Sequence, residues 1–233
     1  AGVEERGRTH HLVCARDEGK DQTYFLYMLN QGQLARAMFP LRDIPKKEVR
    51  RIAEQKGLPV FDKKDSTGVC FIGERNFKSF LMQYLPARPG DMVTPEGEAV
   101  GRHDGLMYYT LGQRRGLGIG GGGSGGRWFV LEKDLKNNRL VVVQDGAHPG
   151  LFSHQARCLD ASWILGRPPA GAGEIFPCWV RLRHRQPLQE ARLTVEAKDG
   201  FALDFAEKQR AVTPGQSAVL YKDGECLGGG VIQ

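Results

Sequence analysis

The spacing of apolar and polar positions predicts helices in the first third of the chain and strands in most of the rest. Residues 45–57 predict a helix, because Pro45 stands in its first turn, apolar positions recur on one face and Gly57 ends it. A second helix is predicted to start at Asp21, which would serve as the N-cap of the apolar run behind it. Ahead of these helices, the short apolar patch at residues 12–15 predicts one strand.

From Pro86 the pattern changes to short apolar runs separated by closely spaced turn signals. Breaks such as Pro-Gly, Pro-Glu-Gly and His-Asp-Gly are typical of a small β-rich unit. Within it, residues 128–131 and 139–143 predict the two strands of a hairpin. Residues 120–126 are nearly all glycine and predict a flexible loop, and residues 76–84 predict a further helix ahead of the unit.

Residues 155–233 contain several short strand patterns and little helical signal, which predicts a small closed barrel of about six strands. One of these patterns, residues 178–186, alternates apolar and polar side chains. As a strand it would place Arg181, Arg183 and Arg185 on one face. Three arginines on one face are costly unless they are solvated or paired with an anion, so this stretch favours nucleic-acid binding.

Length and composition place the chain among globular proteins. Its 233 residues, 40% hydrophobic and 26% charged, suffice for one or two domains, or for three small ones. No apolar run approaches the roughly 20 residues that a membrane span needs, which excludes a membrane protein. The first residues include neither an initiator Met nor an apolar signal core, so we expect a fragment of a longer protein.

The charge balance favours an anionic partner. A formal net charge of +6 and a pI near 9.1 are typical of proteins that bind nucleic acid, although many modestly basic proteins bind nothing anionic. Lys20, Asp21 and Gln22 at the predicted helix start could contact a phosphate or, through the Gln amide, a base edge. An ordinary capped helix with solvated side chains explains the same residues equally well.

The five cysteines are scattered, odd in number and without a Cys-x-x-Cys pair. This pattern argues against a zinc finger or a disulfide scaffold and indicates reduced thiols in the cytoplasm. Cys14, Cys158, Cys178 and Cys226 lie in predicted strands and are predicted to be core residues. No spaced set of His and Cys predicts a metal site.

Cys70 lies in a different setting from the other cysteines. Within residues 63–77 it is accompanied by Lys63, Lys64 and Arg75 on a predicted loop. Cationic neighbours lower the pKa of a thiol and favour the thiolate, which is the reactive form. The alternative, a small buried apolar residue, is equally consistent with this stretch alone.

Four stretches of the sequence together resemble one family. They are Gly-Lys-Asp-Gln-Thr-Tyr-Phe-Leu at 19–26, Lys-Asp-Ser-Thr-Gly-Val-Cys-Phe-Ile-Gly-Glu-Arg at 64–75, Tyr-Thr-Leu-Gly-Gln-Arg at 109–114 and Thr-Pro-Gly-Gln-Ser-Ala-Val at 213–219. In this order, and spread over nearly the whole chain, they resemble the tRNA-specific 2-thiouridylases. These are bacterial ATP-dependent sulfurtransferases that act on the wobble uridine of certain tRNAs. One such string would be weak evidence, whereas four in register are highly specific.

The resemblance implies an α+β multidomain protein. Residues 1–80 would be the C-terminal part of an adenylating α/β domain that carries the Cys70 loop. Residues 81–148 would be a small β-rich central domain, and residues 149–233 an antiparallel β-barrel that grips tRNA. The Ser-Gly-Gly-Val-Asp-Ser phosphate loop with which the family binds ATP is absent from the sequence. We therefore expect the chain to represent the C-terminal two-thirds of the enzyme and to be inactive without its N-terminal part.

The resemblance also implies roles for individual residues. Cys70 would receive sulfur as a persulfide and deliver it to the activated carbon of uridine. The residues that match tRNA contacts of the family are Lys20, Asp21, Gln22, Arg183, His184 and Gln216. At the position of His184 the family pattern has an aromatic residue, so this chain departs from it there. Cys14 does not stand in the context of the family's second catalytic cysteine and is not given that role.

Cofactors and partners follow from the same resemblance. The implied cofactors are ATP and Mg²⁺, with persulfide sulfur as the transferred group, and a disulfide bond is expected as a further feature. The implied partners are tRNA and a sulfur-carrier protein, and the expected location is the cytoplasm. Two other functions fit part of the pattern: a non-catalytic RNA-binding module, and a structural β-rich protein whose cysteines are all core residues.

Overall fold

The computed structural model separates the chain into two compact units. One unit, here the barrel unit, comprises Ala1–Lys63 and His154–Gln233, and the other, the central unit, comprises Lys64–Ser153. The residues that the structure describes are 1–63, 84, 87–120, 125–196 and 199–233. The Cys70 loop, most of the predicted glycine loop and the helix predicted ahead of Tyr84 therefore lie outside the described residues. The predicted division into three domains stays a prediction.

The first part of the barrel unit contains two strands and three helices. They are β1 (Gly2–Arg6), β2 (Thr9–Val13), α1 (Thr23–Leu26), α2 (Gln31–Leu34) and α3 (Lys46–Gln55). α3 confirms the helix predicted at residues 45–57, with Pro45 at its N-cap and Gly57 in the left-handed region, at a φ of 64°, just after its end. The strand predicted at residues 12–15 is confirmed in part, since β2 ends at Val13, but its antiparallel partner β1 was not predicted. β1 is mostly charged, so only its pairing with β2 marks it as a strand.

Asp21 does not cap a helix, which corrects the sequence prediction. α1 begins two residues later and is a single turn long, and no side chain caps its N-terminus. The Asp21 carboxylate instead accepts hydrogen bonds from the Ala15 amide, at 2.9 Å, and from the Thr23 hydroxyl. Because this carboxylate accepts hydrogen bonds from donors inside the unit, it does not accept them from the free amides of the first helical turn.

The central unit is built on a four-stranded sheet among its described residues. Its strands are β3 (Gly90–Val93), β4 (Ala99–His103), β5 (Phe129–Asp134) and β6 (Arg139–Val143), in the order β4-β3-β6-β5. β5 and β6 form the predicted antiparallel hairpin, and β3 pairs with β6 in parallel. Met92, Val130 and Leu140 are fully buried in the core of this unit. The β-rich character predicted for this region is confirmed.

The C-terminal part of the chain closes into a six-stranded barrel. Its strands are β7 (Phe152–Trp163), β8 (Ile175–Arg181), β9 (Gln189–Glu196), β10 (Gly200–Arg210), β11 (Ser217–Lys222) and β12 (Glu225–Ile232). They follow the order β12-β11-β8-β9-β10-β7, and β7 pairs back onto β12. Val180, Leu193, Phe201 and Leu220 are fully buried inside. Closure removes the exposed strand edges and confirms the predicted barrel.

The N-terminal segment is part of the same unit because β2 pairs with β12. Leu12, Tyr27 and Leu34 from this segment pack with Val219 and Tyr221 of β11 in one buried apolar cluster. Burial of apolar surface is the main stabilising term in folding, so this cluster fixes the segment on the barrel. It thereby brings residues from the start of the chain next to the loops that follow β8 and precede β11.

The four cysteines that the structure describes are Cys14, Cys158, Cys178 and Cys226, and all are free thiols. The expected disulfide bond is therefore not found among the described residues. Cys158, Cys178 and Cys226 are buried in barrel strands, as predicted, whereas Cys14 is half-buried just past β2. In the part of the chain that the structure describes, no helix has the length and apolar character to cross a bilayer.

Candidate nucleic-acid interface

The residues predicted to contact RNA come from three distant segments that meet on the barrel unit. His184 Nε2 donates a hydrogen bond to the backbone oxygen of Asp21, at 3.2 Å. Arg183 Nε donates to Gln216 Oε1, at 3.4 Å. The separations along the chain are 163 and 33 residues, so tertiary folding alone brings these groups side by side. Gln22 and Arg183 are exposed, and Lys20, His184 and Gln216 are half-buried. We call these five residues the basic face.

The turn after β8 determines which arginines reach this surface. β8 ends at Arg181, and Arg185 adopts a left-handed conformation, with a φ of 66°, in the turn that follows. Arg181 is buried while Arg183 is exposed, so the predicted face of three arginines is wrong. The strict alternation stops because the chain turns out of the sheet, leaving Leu182 buried directly after Arg181. Arg183 is held on the outside, where its Nη2 donates to the backbone oxygen of Ala211 at 3.0 Å.

Asp21 and Arg181 form a buried ion pair beneath the basic face. Arg181 Nη1 lies 3.4 Å from Asp21 Oδ2, and the two residues are 7% and 2% exposed. The guanidinium carbon also lies 5.3 Å from the centre of the Tyr221 ring, within the range of a cation–π interaction. This pair joins the N-terminal segment to β8, directly under the backbone that carries Lys20, Gln22 and Arg183.

The Asp21 carboxylate is stabilised in its charged form. Burial raises the pKa of this carboxyl, but hydrogen bonds from Thr23 and from the Ala15 amide, together with the amino group of Ala1 at 3.2 Å, outweigh burial and hold the pKa below its ordinary value. Its side chain therefore points into the unit as a carboxylate. Only the backbone of Asp21 faces the neighbouring His184.

An exposed aromatic side chain lies beside the basic face, and sequence reasoning did not single it out. Phe25 is 59% exposed, and its ring centre lies 4.5 Å from that of His184. Tyr24 contacts the Phe25 ring edge-on at 5.4 Å and donates its hydroxyl hydrogen to the backbone oxygen of Ser217, at 3.0 Å. The apolar run that follows residues 20–22 predicts side chains that face the core. The sequence therefore carries no signal that the Phe25 ring faces outward.

A pocket of about 350 Å³ adjoins the same segment of the barrel unit. Lys20, Gln22 and Lys46 contribute polar groups to its wall, and Phe39 and Val49 contribute apolar surface. Guanidinium and ammonium groups can contact phosphates, and side-chain amides can read base edges. The ammonium groups of Lys20 and Lys46 can therefore contact an anion, and the Gln22 amide can contact a base edge.

The described cysteines do not have the properties of a sulfur carrier. Burial raises the pKa of both Cys158 and Cys178 to about 12 and raises that of Cys226 further. The pKa of Cys14 is also raised, by burial first and then by the Asp21 carboxylate. These thiols stay protonated at neutral pH, and a protonated thiol is a poor nucleophile. Cys70 lies outside the described residues, so its reactivity stays a prediction.

Alkylation of the native chain tests this difference. At neutral pH we expect iodoacetamide to modify Cys70 first, and Cys158, Cys178 and Cys226 only after unfolding, because a buried thiol with a raised pKa reacts slowly. Mass spectrometry of peptides taken over time gives the order of modification. Equally slow modification of all five thiols would instead support a structural protein whose cysteines are all core residues.

Three family models match successive parts of the chain, and the descriptions of two of them mention tRNA. Residues 1–74 match a model described as the tRNA methyl transferase HUP domain, and residues 78–144 match the tRNA methyl transferase PRC-barrel domain. Residues 153–232 match a model described as the aminomethyltransferase beta-barrel domain. The three matches follow one another without overlap.

The curated relatives are named for thiolation of tRNA, whereas the family models are described by methyl transfer. The chain is 55% identical over 232 residues to the tRNA-specific 2-thiouridylase MnmA of Methylococcus capsulatus, covering 99% of this chain and 62% of that protein. It is 53% identical over 224 residues to the protein of the same name from Cupriavidus metallidurans, covering 95% and 62%. A third relative of that name, from Burkholderia multivorans, is 53% identical over 236 residues, covering 100% and 61%. The chain thus spans about three-fifths of the length of these relatives.

Proposed function

The chain belongs to the tRNA-specific 2-thiouridylase family, and from this premise we propose that it holds tRNA and delivers sulfur in an enzyme that forms 2-thiouridine at the wobble position. The observation that supports RNA binding most strongly is the meeting of Lys20, Gln22, Arg183, His184 and Gln216 on one surface of the barrel unit, above the buried Asp21. These are the residues for which the resemblance implied tRNA contacts. Direct hydrogen bonds join them, although most of the chain separates them in sequence.

The proposed reaction replaces the oxygen on C2 of uridine with sulfur. ATP with Mg²⁺ supplies the activation that turns this oxygen into a leaving group in the proposed enzyme. Among the described residues, no group of three or more His, Cys, Asp or Glu side chains could hold a metal ion, so none of them is assigned to Mg²⁺. We propose that this chain contributes the terminal sulfur of a Cys70 persulfide, which would form a bond to C2 while the adenylated oxygen leaves as AMP. A thiol reductant would then cleave the sulfur–sulfur bond to Cys70, either at this stage or beforehand to release the sulfur as hydrosulfide, and would form a disulfide with Cys70.

The basic face would orient the tRNA for this transfer. Arg183 supplies a fork of N–H donors to phosphate, and Gln22 and Gln216 supply amides that can contact base or sugar. The buried Asp21 would act as a positioning residue, because its carboxylate holds Arg181 and its backbone oxygen holds His184. The target base must leave the anticodon stack to reach a sulfur atom, as in other enzymes that modify bases.

Partners and location form part of the same proposal. A persulfide on Cys70 has to be loaded by a sulfur-carrier protein, and the free thiols fit the cytoplasm predicted from the cysteine pattern. Residues 1–74, which match a HUP-domain model, would then contribute to the adenylating domain of the complete enzyme.

A chimaera tests the proposal. In it, this chain replaces the matching region of the Methylococcus capsulatus relative, and the product is incubated with tRNA, ATP, Mg²⁺ and a persulfide donor. Nucleoside mass spectrometry should show 2-thiouridine at the wobble position. An added methyl group would support the methyl-transfer description of the family models, and tRNA binding without any modification would support a non-catalytic RNA-binding module.

Arg183 provides a separate test of the interface. Arg183→Ala is expected to weaken tRNA binding several-fold and to reduce the slope of log K against log salt by about 0.7 to 0.9, the contribution of one phosphate. Filter binding of the 233-residue chain at a series of salt concentrations measures both quantities. Arg192→Ala is the matched control, since it removes an exposed arginine from β9, which carries no residue of the basic face. An unchanged salt slope in the Arg183 variant would remove this residue from the interface.

A further inference from the structure

We propose that Phe25 and His184 form a stacking site for one unpaired base of the bound RNA. This inference rests on the proposed function only in taking RNA as the ligand. It assigns a part to Phe25, for which the sequence analysis gave none.

The first observation is the exposure of a large apolar ring at a polar surface. Phe25 is 59% exposed, although it lies in the same helical turn as Thr23, which is completely buried. Its ring lies 4.5 Å from that of His184, a residue of the basic face. An exposed phenyl ring is unfavourable in water unless a partner covers it, and aromatic rings at RNA interfaces are covered by unstacked bases.

The second observation is that hydrogen bonds and packing fix the positions of the residues around the Phe25 ring. Tyr24 anchors the turn through its hydroxyl, which donates to the Ser217 backbone oxygen at 3.0 Å and lies 3.3 Å from the Leu182 oxygen. Tyr24 packs edge-on against Phe25. The imidazole of His184 is fixed from the other side by its hydrogen bond to the Asp21 oxygen. A surface that is already ordered loses little conformational entropy when a ligand binds.

The tautomer of His184 follows from this geometry. A backbone carbonyl can only accept, so Nε2 of His184 must carry the hydrogen in the bond to Asp21. The ring plane, inclined by 49° to the Phe25 ring, is therefore set by a backbone group rather than by a mobile side chain. Both rings offer π-surface of the kind that stacks with nucleobases.

Charge identifies the occupant as RNA rather than as an apolar protein segment. His184 directly follows Arg183, whose side chain donates to Gln216, and the Phe25 amide donates to the Gln22 backbone oxygen at 3.0 Å, while Lys20 lies on the same segment as Phe25. Cations around an aromatic platform suit a base whose flanking phosphates need partners. An apolar helix or strand would instead bury these charges without compensation.

The test uses the 233-residue chain and an anticodon stem-loop RNA with unpaired loop bases. Phe25→Ala should weaken binding by about five-fold to about 150-fold, because stacking of one base on an aromatic side chain is worth about 1–3 kcal/mol. The salt slope should stay unchanged, since no phosphate contact is lost. Phe25→Trp should retain the affinity. A fully paired RNA of equal length should bind the Ala variant as well as it binds the parent chain.

Two further measurements separate stacking from a structural effect. Met28→Ala is the matched control, because Met28 is 66% exposed and follows the same turn without a ring contact; its affinity should change less than about two-fold. A 2-aminopurine placed at successive loop positions should change its fluorescence at one position on binding, and Phe25→Ala should abolish that change. Unfolding curves of both variants should match that of the parent chain.

Equal affinity of the parent and Phe25→Ala chains for the stem-loop, with Arg183→Ala still weakened, would overturn the stacking site and leave the proposed function intact. Failure of the parent chain to bind any tRNA would overturn both. Failure of the chimaera to form 2-thiouridine, with the Phe25 effect preserved, would overturn the proposed activity and leave the stacking site standing.

Discussion

Cys70→Ala is expected to reduce sulfur transfer in the chimaera to background, a loss on the order of a thousand-fold or more, while tRNA affinity stays nearly unchanged. The variant lacks the atom on which the persulfide would form, but the proposed tRNA contacts lie on the barrel unit. The measurements are the rate of 2-thiouridine formation and the Kd for unmodified tRNA. Loss of both together would indicate a folding defect in the variant and would leave the nucleophile to be sought by a persulfide-trapping experiment.

Cys14→Ala is the matched control for this substitution. Cys14 is half-buried, its raised pKa keeps it protonated, and it lies outside the strands of the barrel. Its replacement should leave sulfur transfer within about two-fold of the parent rate. Retained thiolation in Cys70→Ala, or its loss in Cys14→Ala, would show that the wrong cysteine has been chosen.

Asp21→Asn is expected to lower the free energy of unfolding by about 3 kcal/mol, because it leaves the buried Arg181 without its counter-charge. Urea unfolding followed by circular dichroism measures the change. The double variant Asp21→Asn, Arg181→Met should recover part of the loss, since an uncharged side chain no longer needs a carboxylate. Asp43→Asn is the control, because Asp43 pairs with Arg42 at 3.6 Å on the surface with its own side chain 77% exposed, and such pairs contribute little.

The difference in unfolding free energy between the parent chain and Asp21→Asn should become smaller as the pH falls. The folded-state pKa of Asp21 is lowered, so the stabilisation from its charged form is present above the unfolded-state value, about pH 4, and is lost as pH falls through the lower folded-state pKa. Parent and Asn variant should therefore approach each other in stability only under strongly acidic conditions. A difference that stays constant from neutral to acidic pH would remove the ion pair as its cause.

Local signals in the sequence predicted α3, the β5–β6 hairpin and the barrel strands, but neither β1 nor the start of α1. Pro45 and Gly57 bracket a helix because one tolerates only a first-turn position and the other readily adopts a left-handed conformation. The β5–β6 hairpin and the six barrel strands follow from short apolar runs separated by turn residues. The four motifs that resemble the family can also be recognised from the sequence without the structure, and they identified the family.

The same signals could not show which side chains face inward. Asp21 satisfies the pattern of a helix N-cap, yet it ends in the interior because Arg181, 160 residues away, needs its charge. Arg181 and Arg183 are alike in sequence context, but the end of β8 places one inside and the other outside. Phe25 reads as a core residue and lies exposed beside His184.

The sequence by itself determined the family, the helix at residues 46–55 and the strand pattern of the C-terminal part, because each motif and each element is encoded by residues close together along the chain. The tertiary structure alone decided that the five residues of the basic face share one surface and that Asp21 and Arg181 lie beneath it. The physical reason is that burial and ion pairing depend on which distant strands meet. In this chain, the pairing of β2 with β12 and the closure of the barrel determine which distant strands meet.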